Sequence, residues 1–338
     1  MVKRYYGGVI SATQAVANAT SATGFFNVTQ QMQAVQAGTW PSSLPPGNTA
    51  GWFGGGQYPT TSTVNRITFA TDTATASVRG PLSLARHFLA AAGNTTDGWF
   101  GGGTTGFPNS QSTVDRITYA TDTATASVRG PLSAVRYWLA ATGNNDYGWF
   151  GGGAFSAVST VDRITYATDN ATASVRGPLS AARYKLAAAG NTTDGWFGGG
   201  AVYPISFSTV DRITYATDTA TTSVRGPLSL ARYNLAAAGN TTDGWFGGGQ
   251  DPPGYVLTLV NRITYATDTA TASVRGPLSS ARYNLAAAGN TTDGWFGGGS
   301  PGSSTVDRIT YATDTATASV RGPLSAARYK LAAAGGIQ

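Results

Sequence analysis

Apolar and polar residues alternate in short runs through most of the chain, and the runs recur. Residues 114–121, VDRITYAT, mix β-branched and aromatic side chains in strand fashion, and residues 136–142, RYWLAAT, read as another strand. Gly143-Asn144 marks a turn before Trp149-Phe150, Asp122-Thr123 marks a second, and Gly130-Pro131 ends the run ATASVR, since proline cannot continue a ladder. The marker GWFGGG begins at Gly51, Gly98, Gly148, Gly195, Gly244 and Gly294, so one unit takes 47 to 50 residues. Four short strands in that length predict a propeller blade, whereas a helical solenoid requires a period near 3.6.

Counting predicts a ring that closes at six. The chain enters the repeats at a second strand, Gly51, and leaves them at a first strand, 328–335. The C-terminal RYKLAAAG is then expected to supply the innermost strand of the blade begun by residues 51–79, which leaves no free edge at the join. An open solenoid is the alternative. Innermost strands crowd the axis, which suits Ala-Ala-Ala and Gly-Gly-Gly. Trp and Phe of each GWFGGG point to opposite faces of a blade and can reach both neighbours. The recurring Arg116, Arg136 and Asp122 read as inter-blade hydrogen bonds and turn caps.

The unit resembles the kelch repeat in its Gly102-Gly103 pair, the variable loop from Thr104, Tyr119-Ala-Thr-Asp122 and Arg136. This resemblance covers residues 51–335 and departs at the fourth strand, where kelch usually places a Trp and this chain has Ser127-Val128. The expected architecture is all-β: a six-bladed kelch-like β-propeller over residues 48–338, closed by strand exchange between the termini, with a short N-terminal anchoring segment at 1–47.

Composition narrows the chemistry. Charged residues are 11% of the 338 against a hydrophobic share of 41%, a balance that favours small-residue β structure over helices. All 16 acidic residues are Asp, there is one His, and Cys is absent. Most metal-ligand sets, His-based triads and Glu general acids are thereby removed, so neither an enzyme nor a cofactor or metal site is expected. The net charge of +6 is scattered over sites such as Lys3, Arg4, Lys185 and Lys330 rather than gathered in a stripe, which argues against a nucleic-acid partner. No apolar run reaches the roughly 18 residues of a membrane span, and polar residues break up any secretory h-region after Lys3-Arg4.

The six copies differ from one another mainly in one insert after GGG, which runs from four residues (300–303) to eight (104–111). Two further variable positions flank the fourth-to-first-strand loop. The one nearer the axis is x in R-(Y/H)-x-L, occupied by Phe88, Trp138, Lys185, Asn234, Asn284 and Lys330. Antiparallel alternation puts these positions and the inserts on one face of the ring. Insert aromatics Tyr58, Phe107, Phe155, Tyr203, Phe207 and Tyr255 are expected to be exposed there. Aromatics on loops of a rigid scaffold suit recognition, and unconstrained drift of the loops is the competing reading. Asn94-Thr-Thr and its counterparts match a glycosylation sequon but read as turns, and His87, standing where the other copies have Tyr, reads as packing.

Residues 1–47 do not repeat. Thr29 could cap a short helix with Met32 and Val35 on one side, and Pro45-Pro46-Gly47 makes a stiff hinge into the ring. The segment resembles an N-terminal stretch of structural proteins of tailed bacteriophages from marine and cyanobacterial hosts. The matching residues are 7–14 (GGVISATQ), Gly24-Phe25-Phe26 and Gly38-Thr39-Trp40-Pro41. That resemblance implies attachment to other virion proteins, with Tyr5, Tyr6, Val9, Ile10, Phe25, Phe26, Met32 and Trp40 as the anchoring residues. It also implies a virion protein (tail fibre, spike or surface decoration), present in multiple copies and presenting the propeller to a host-surface glycan or protein. A purely architectural virion subunit and an intracellular kelch-type interaction module are the alternatives.

Overall fold

A computed structural model describes residues 16–17, 22–23, 49–154 and 156–335. The chain divides into two units, Met1–Pro45 and Pro46–Gln338. In the first, Val16–Ala17 pairs antiparallel with Ala22–Thr23. The anchoring residues Tyr5, Tyr6, Val9, Ile10, Phe25, Phe26, Met32 and Trp40 lie outside the described residues.

The second unit is a six-bladed β-propeller of four-stranded antiparallel sheets. Blade 2 shows the pattern: Ala90–Gly93, Asp97–Gly101, Val114–Thr118 and Ser127–Arg129, from axis to rim. Blade 1 draws its inner strand from the far end of the chain, with Ala332–Gly335 paired to Ala50–Gly54 in the register Ala332↔Gly54 to Gly335↔Gly51. Every other blade uses the same register, for example Ala90↔Gly101 to Gly93↔Gly98. The termini therefore close the ring without a defect.

Each GWFG segment is buried along its length, and its two aromatics serve opposite seams. Trp52 stacks on Tyr119 of blade 2 at 3.8 Å between centroids, while Phe53 packs into the cluster around Trp295 of blade 6. The stack recurs at every seam and ends at Trp295 on Phe69, 3.9 Å apart. Each such pair adds about 0.5–1.5 kcal/mol beyond the area it buries.

An aspartate locks each stack. Asp122, 5% exposed, accepts Trp52 Nε1–H at 2.8 Å and Arg66 at 3.1 Å, both from blade 1. The Asp122 carbonyl also accepts Gly80 N–H of blade 1 at 2.8 Å. Gly80 is required there, because a Cβ would sit 1.8 Å from the Ala124 carbonyl oxygen. All of these bonds cross the seam, in keeping with the expected role of Asp122 and Arg116.

Other expectations need correcting. Arg136 ties its own blade rather than the next one: it donates to the Gly152 and Thr160 carbonyls and to Asp162. In blade 5 the acid is replaced by Asn261, and burial pulls the Arg232 guanidinium down to about 9. The last two glycines of GWFGGG do allow close backbone approach, since a Cβ at Gly55 would sit 2.6 Å from the Arg86 carbonyl oxygen of blade 2, but they lie at the end of the second strand and not on the innermost one. They leave the second strand in left-handed conformations, Gly55 at φ 68° and Gly56 at φ 114°, and turn the chain into the insert.

Replacing Asp122 with Ala strands the indole N–H of Trp52 and the Arg66 guanidinium at once. The expected loss is about 3 kcal/mol, read as a lower urea midpoint at unchanged slope. A midpoint equal to wild type would mean that the seam is held by stacking alone.

Candidate functional site

The axial mouth is built from a ring of backbone hydrogen bonds. Residue x of each R-(Y/H)-x-L segment has left-handed backbone, with φ of 59° at Phe88, 57° at Trp138, 60° at Lys185, 59° at Asn234, 55° at Asn284 and 63° at Lys330. Each donates its N–H to the carbonyl of the preceding x, from Phe88 to Lys330 at 2.8 Å round to Lys330 on Asn284 at 2.7 Å. This twist also explains why residues 136–142 are not one strand. The inner strand begins only at Ala140, after the reversal at Trp138. Left-handed backbone costs an L-residue about 1–2 kcal/mol, less for Asn, so four of the six positions carry strain.

The six x side chains line the mouth above a ring of leucines, Leu89 to Leu331. Their arrangement is uneven. Phe88 and Trp138 sit side by side on blades 2 and 3, and Asn234 and Asn284 face them from blades 5 and 6. Lys185 and Lys330 stand between, on opposite blades. Lys185 Nζ lies 4.3 Å from the Trp138 ring centre, and Lys330 Nζ lies 4.3 Å from that of Phe88. Lys330 also donates to Gln57 Oε1 at 2.6 Å, and Asn234 to Gln250 Oε1 at 3.1 Å. Burial lowers the pKa of both lysines, and the charge of Lys185 lowers that of Lys330 further.

The inserts rise around this mouth. Tyr58 is 70% exposed and leans on Tyr329, while Phe107 meets Tyr137 edge-on at 5.1 Å and lies 6.2 Å from Trp138. Tyr203 tips a small hairpin, Ala201–Val202 with Ile205–Ser206, and is 87% exposed. Tyr255 is exposed and held by Asp251, which accepts its N–H at 2.8 Å. Phe207 differs from its expected exposure. It is half-buried at the base of its insert, where its N–H and carbonyl bond Gly200 and Arg232. Phe155 lies outside the described residues.

Two contributors escaped the reading by variation. One is the collar of Tyr137, Tyr184, Tyr233, Tyr283 and Tyr329 with His87, each of which pairs with the first residue of its own blade's insert. The other is Gln57 and Gln250, the insert residues that reach the mouth. The constant aromatic beside each x was the available signal. No protein-family model and no curated protein sequence matches the chain.

The opposite face is nearly uniform. Asn94 Oδ1 accepts the N–H groups of Thr96 and Asp97, so the sequon-like segments are Asx turns. Blades 1 and 3 depart from it: Ala50 stands in blade 1 where blade 2 has Asp97, and in blade 3 Arg163 lies 4.5 Å from the Tyr147 ring centre where blade 2 pairs Arg116 with Asp97. Among the described residues no three His or Asp side chains gather as metal ligands.

Two outcomes test the mouth. Lys185→Asn relieves left-handed strain and should leave stability within about 1 kcal/mol of wild type, whereas Lys185→Val should lose about 1–2 kcal/mol. Equal urea midpoints for the two variants would contradict the strained ring. His87 is 3% exposed, and burial first, then Lys330, lowers its pKa from 6.5 to about 4. Between those values the unfolded chain takes up a proton that the folded chain refuses, so stability falls from pH 6.5 toward pH 4 and levels off below. At about 1.4 kcal/mol per unit the whole fall is on the order of 3 kcal/mol. His87→Tyr should remove that part of the pH profile, and an unchanged profile would assign it to other groups.

Proposed function

We propose that the protein is a structural component of a bacteriophage particle. Residues 1–47 attach it to other virion proteins, and the insert-bearing face of the propeller meets a glycan or protein of the host surface. The attachment half of this reading rests on the leader's resemblance to phage structural proteins. The display half rests on one observation: what differs between the copies gathers on one face, as exposed aromatics around a strained axial mouth, on blades that are otherwise nearly identical. The proposed role is contact without catalysis, and many copies per particle would turn weak contacts into firm attachment.

A second reading has its own observation. Each outer strand exposes its central residue, Val78, Val128, Val175, Val224, Val274 or Val320, at 59–61%. An apolar stud on every blade rim suits lateral packing against neighbouring subunits, which is an architectural role.

Immunogold electron microscopy with an antibody against residues 51–335 tests both on particles from the source of the gene. Label on a fibre or particle surface is expected, and shortening the inserts at Tyr58, Phe107, Tyr203 and Tyr255 should abolish host attachment while particles still assemble. Failed assembly would favour the architectural role. Absence of label on particles, with the protein present in infected cells, would overturn the virion reading in favour of an intracellular interaction module.

A further inference from the structure

We propose that the axial mouth binds a carboxylated sugar residue, such as a uronic or sialic acid, through Lys185 and Lys330, with Trp138, Phe88 and Asn234 completing the site. This deepens the display reading by naming the chemistry that the variable face takes.

The mouth holds cations without counter-ions. The ion pairs among the described residues all join Arg to Asp, and neither lysine enters one. Both ammonium groups are partly desolvated and rest on aromatic faces instead. A cation–π contact of this kind is worth about 0.5–2 kcal/mol, too little to replace the water that a buried charge gives up. Asp251, the acid of the blade 5 insert, raises the Tyr233 pKa and already bonds Tyr255. A carboxylate on the axis between blades 1 and 4 would meet both cations.

Charge alone would admit any anion, but two orphaned polar atoms narrow the choice. Asn234 is 7% exposed, its amide nitrogen is taken by Gln250, and its Oδ1 has no partner. Trp138 Nε1–H is buried and also unpartnered. The first requires a donor and the second an acceptor; both atoms are closed to solvent, so a hydroxyl that offers both engages them only as the two side chains turn toward the mouth. Leaving such groups unpaired costs about 1–3 kcal/mol each, so a ligand that satisfies them gains that much over one that does not. Phosphate is matched best by arginine forks and backbone N–H groups, and the mouth presents neither. Its backbone N–H groups are consumed in the axial ring. The set that remains is two point cations, one hydroxyl acceptor, one indole donor and an apolar wall, which fits a hydroxylated ring bearing a carboxylate.

Titration calorimetry on the full chain tests this. D-glucuronate, D-galacturonate and N-acetylneuraminate are each compared with glucose, galactose and acetate at low salt. At least one acidic sugar should bind ten-fold or more tighter than every neutral sugar and acetate. The double variant Lys185→Asn, Lys330→Asn should erase that preference. Asn already occupies two positions of the ring, and a cooperative melting transition no lower than that of wild type would establish that the variant is folded. Acetate binding as well as the sugars would reduce the mouth to a plain anion site and overturn the proposal. Glucose binding as well as glucuronate, retained preference in the double variant, or no heat with any probe would each overturn it too. Because the readout is binding by the isolated chain, it separates a failure here from a failure of the virion assignment, which the microscopy reads.

Discussion

The ring depends on a single carboxylate used six times. In each seam an aspartate, Asp72 through Asp314, receives the indole N–H and an arginine of the preceding blade, while its own backbone carbonyl takes the glycine N–H of Gly-Pro. The tryptophan is pinned flat on the next blade's tyrosine, so apolar burial and charge pairing act on the same side chain. Burying an aspartate without these partners would cost several kcal/mol. The aspartate and its donors are thus interdependent, and they recur together in every copy. Since the sixth aspartate, Asp314, serves the fifth seam and Asp72 serves the sixth, the set is complete only when the termini meet.

Closure is repeated at the axis in weaker form. Six N–H groups and six carbonyls of the x residues form a continuous circle, and each bond needs the next blade at the correct distance. The aspartate clamps hold neighbouring blades at that distance, so the seams and the axial ring support the same closure. The axial ring's consequence is local: it forces left-handed backbone on whatever residue stands at x.

Much of this was legible from the chain. Six internal copies identified the blade, and the mismatch between entry at Gly51 and exit at Gly335 required the strand exchange that Ala332–Gly335 makes with Ala50–Gly54. The geometry at x was not legible, because Phe, Trp and Lys carry no left-handed preference and only Asn234 and Asn284 hinted at it. Arg136 misled for a related reason: an arginine recurring with an aspartate signals a pair, but not whether the pair lies within a blade or between two. At the face, variation pointed to Tyr58, Phe107, Tyr203 and Tyr255, whose exposure ranges from 59% to 87%. It could not separate Phe207, whose backbone is drawn into the insert base, and it was blind to the constant tyrosine collar.

The mouth shows why a rigid propeller can vary where it does. The axial ring uses only main-chain atoms, so the fold places no demand on the x side chain beyond tolerance of a positive φ. Asn meets that demand at two positions, yet Phe88, Trp138, Lys185 and Lys330 stand at the other four at a cost of about 1–2 kcal/mol each. Packing offsets that cost for Phe88, which is 5% exposed. It does not for Lys185, whose ammonium rests near rings and has no carboxylate partner. Strain retained where a cheaper residue serves on the next blade is a reason to look outside the fold for what the side chain does. The same position carries the unpaired charge and adjoins the orphaned indole, so the search begins at the axis.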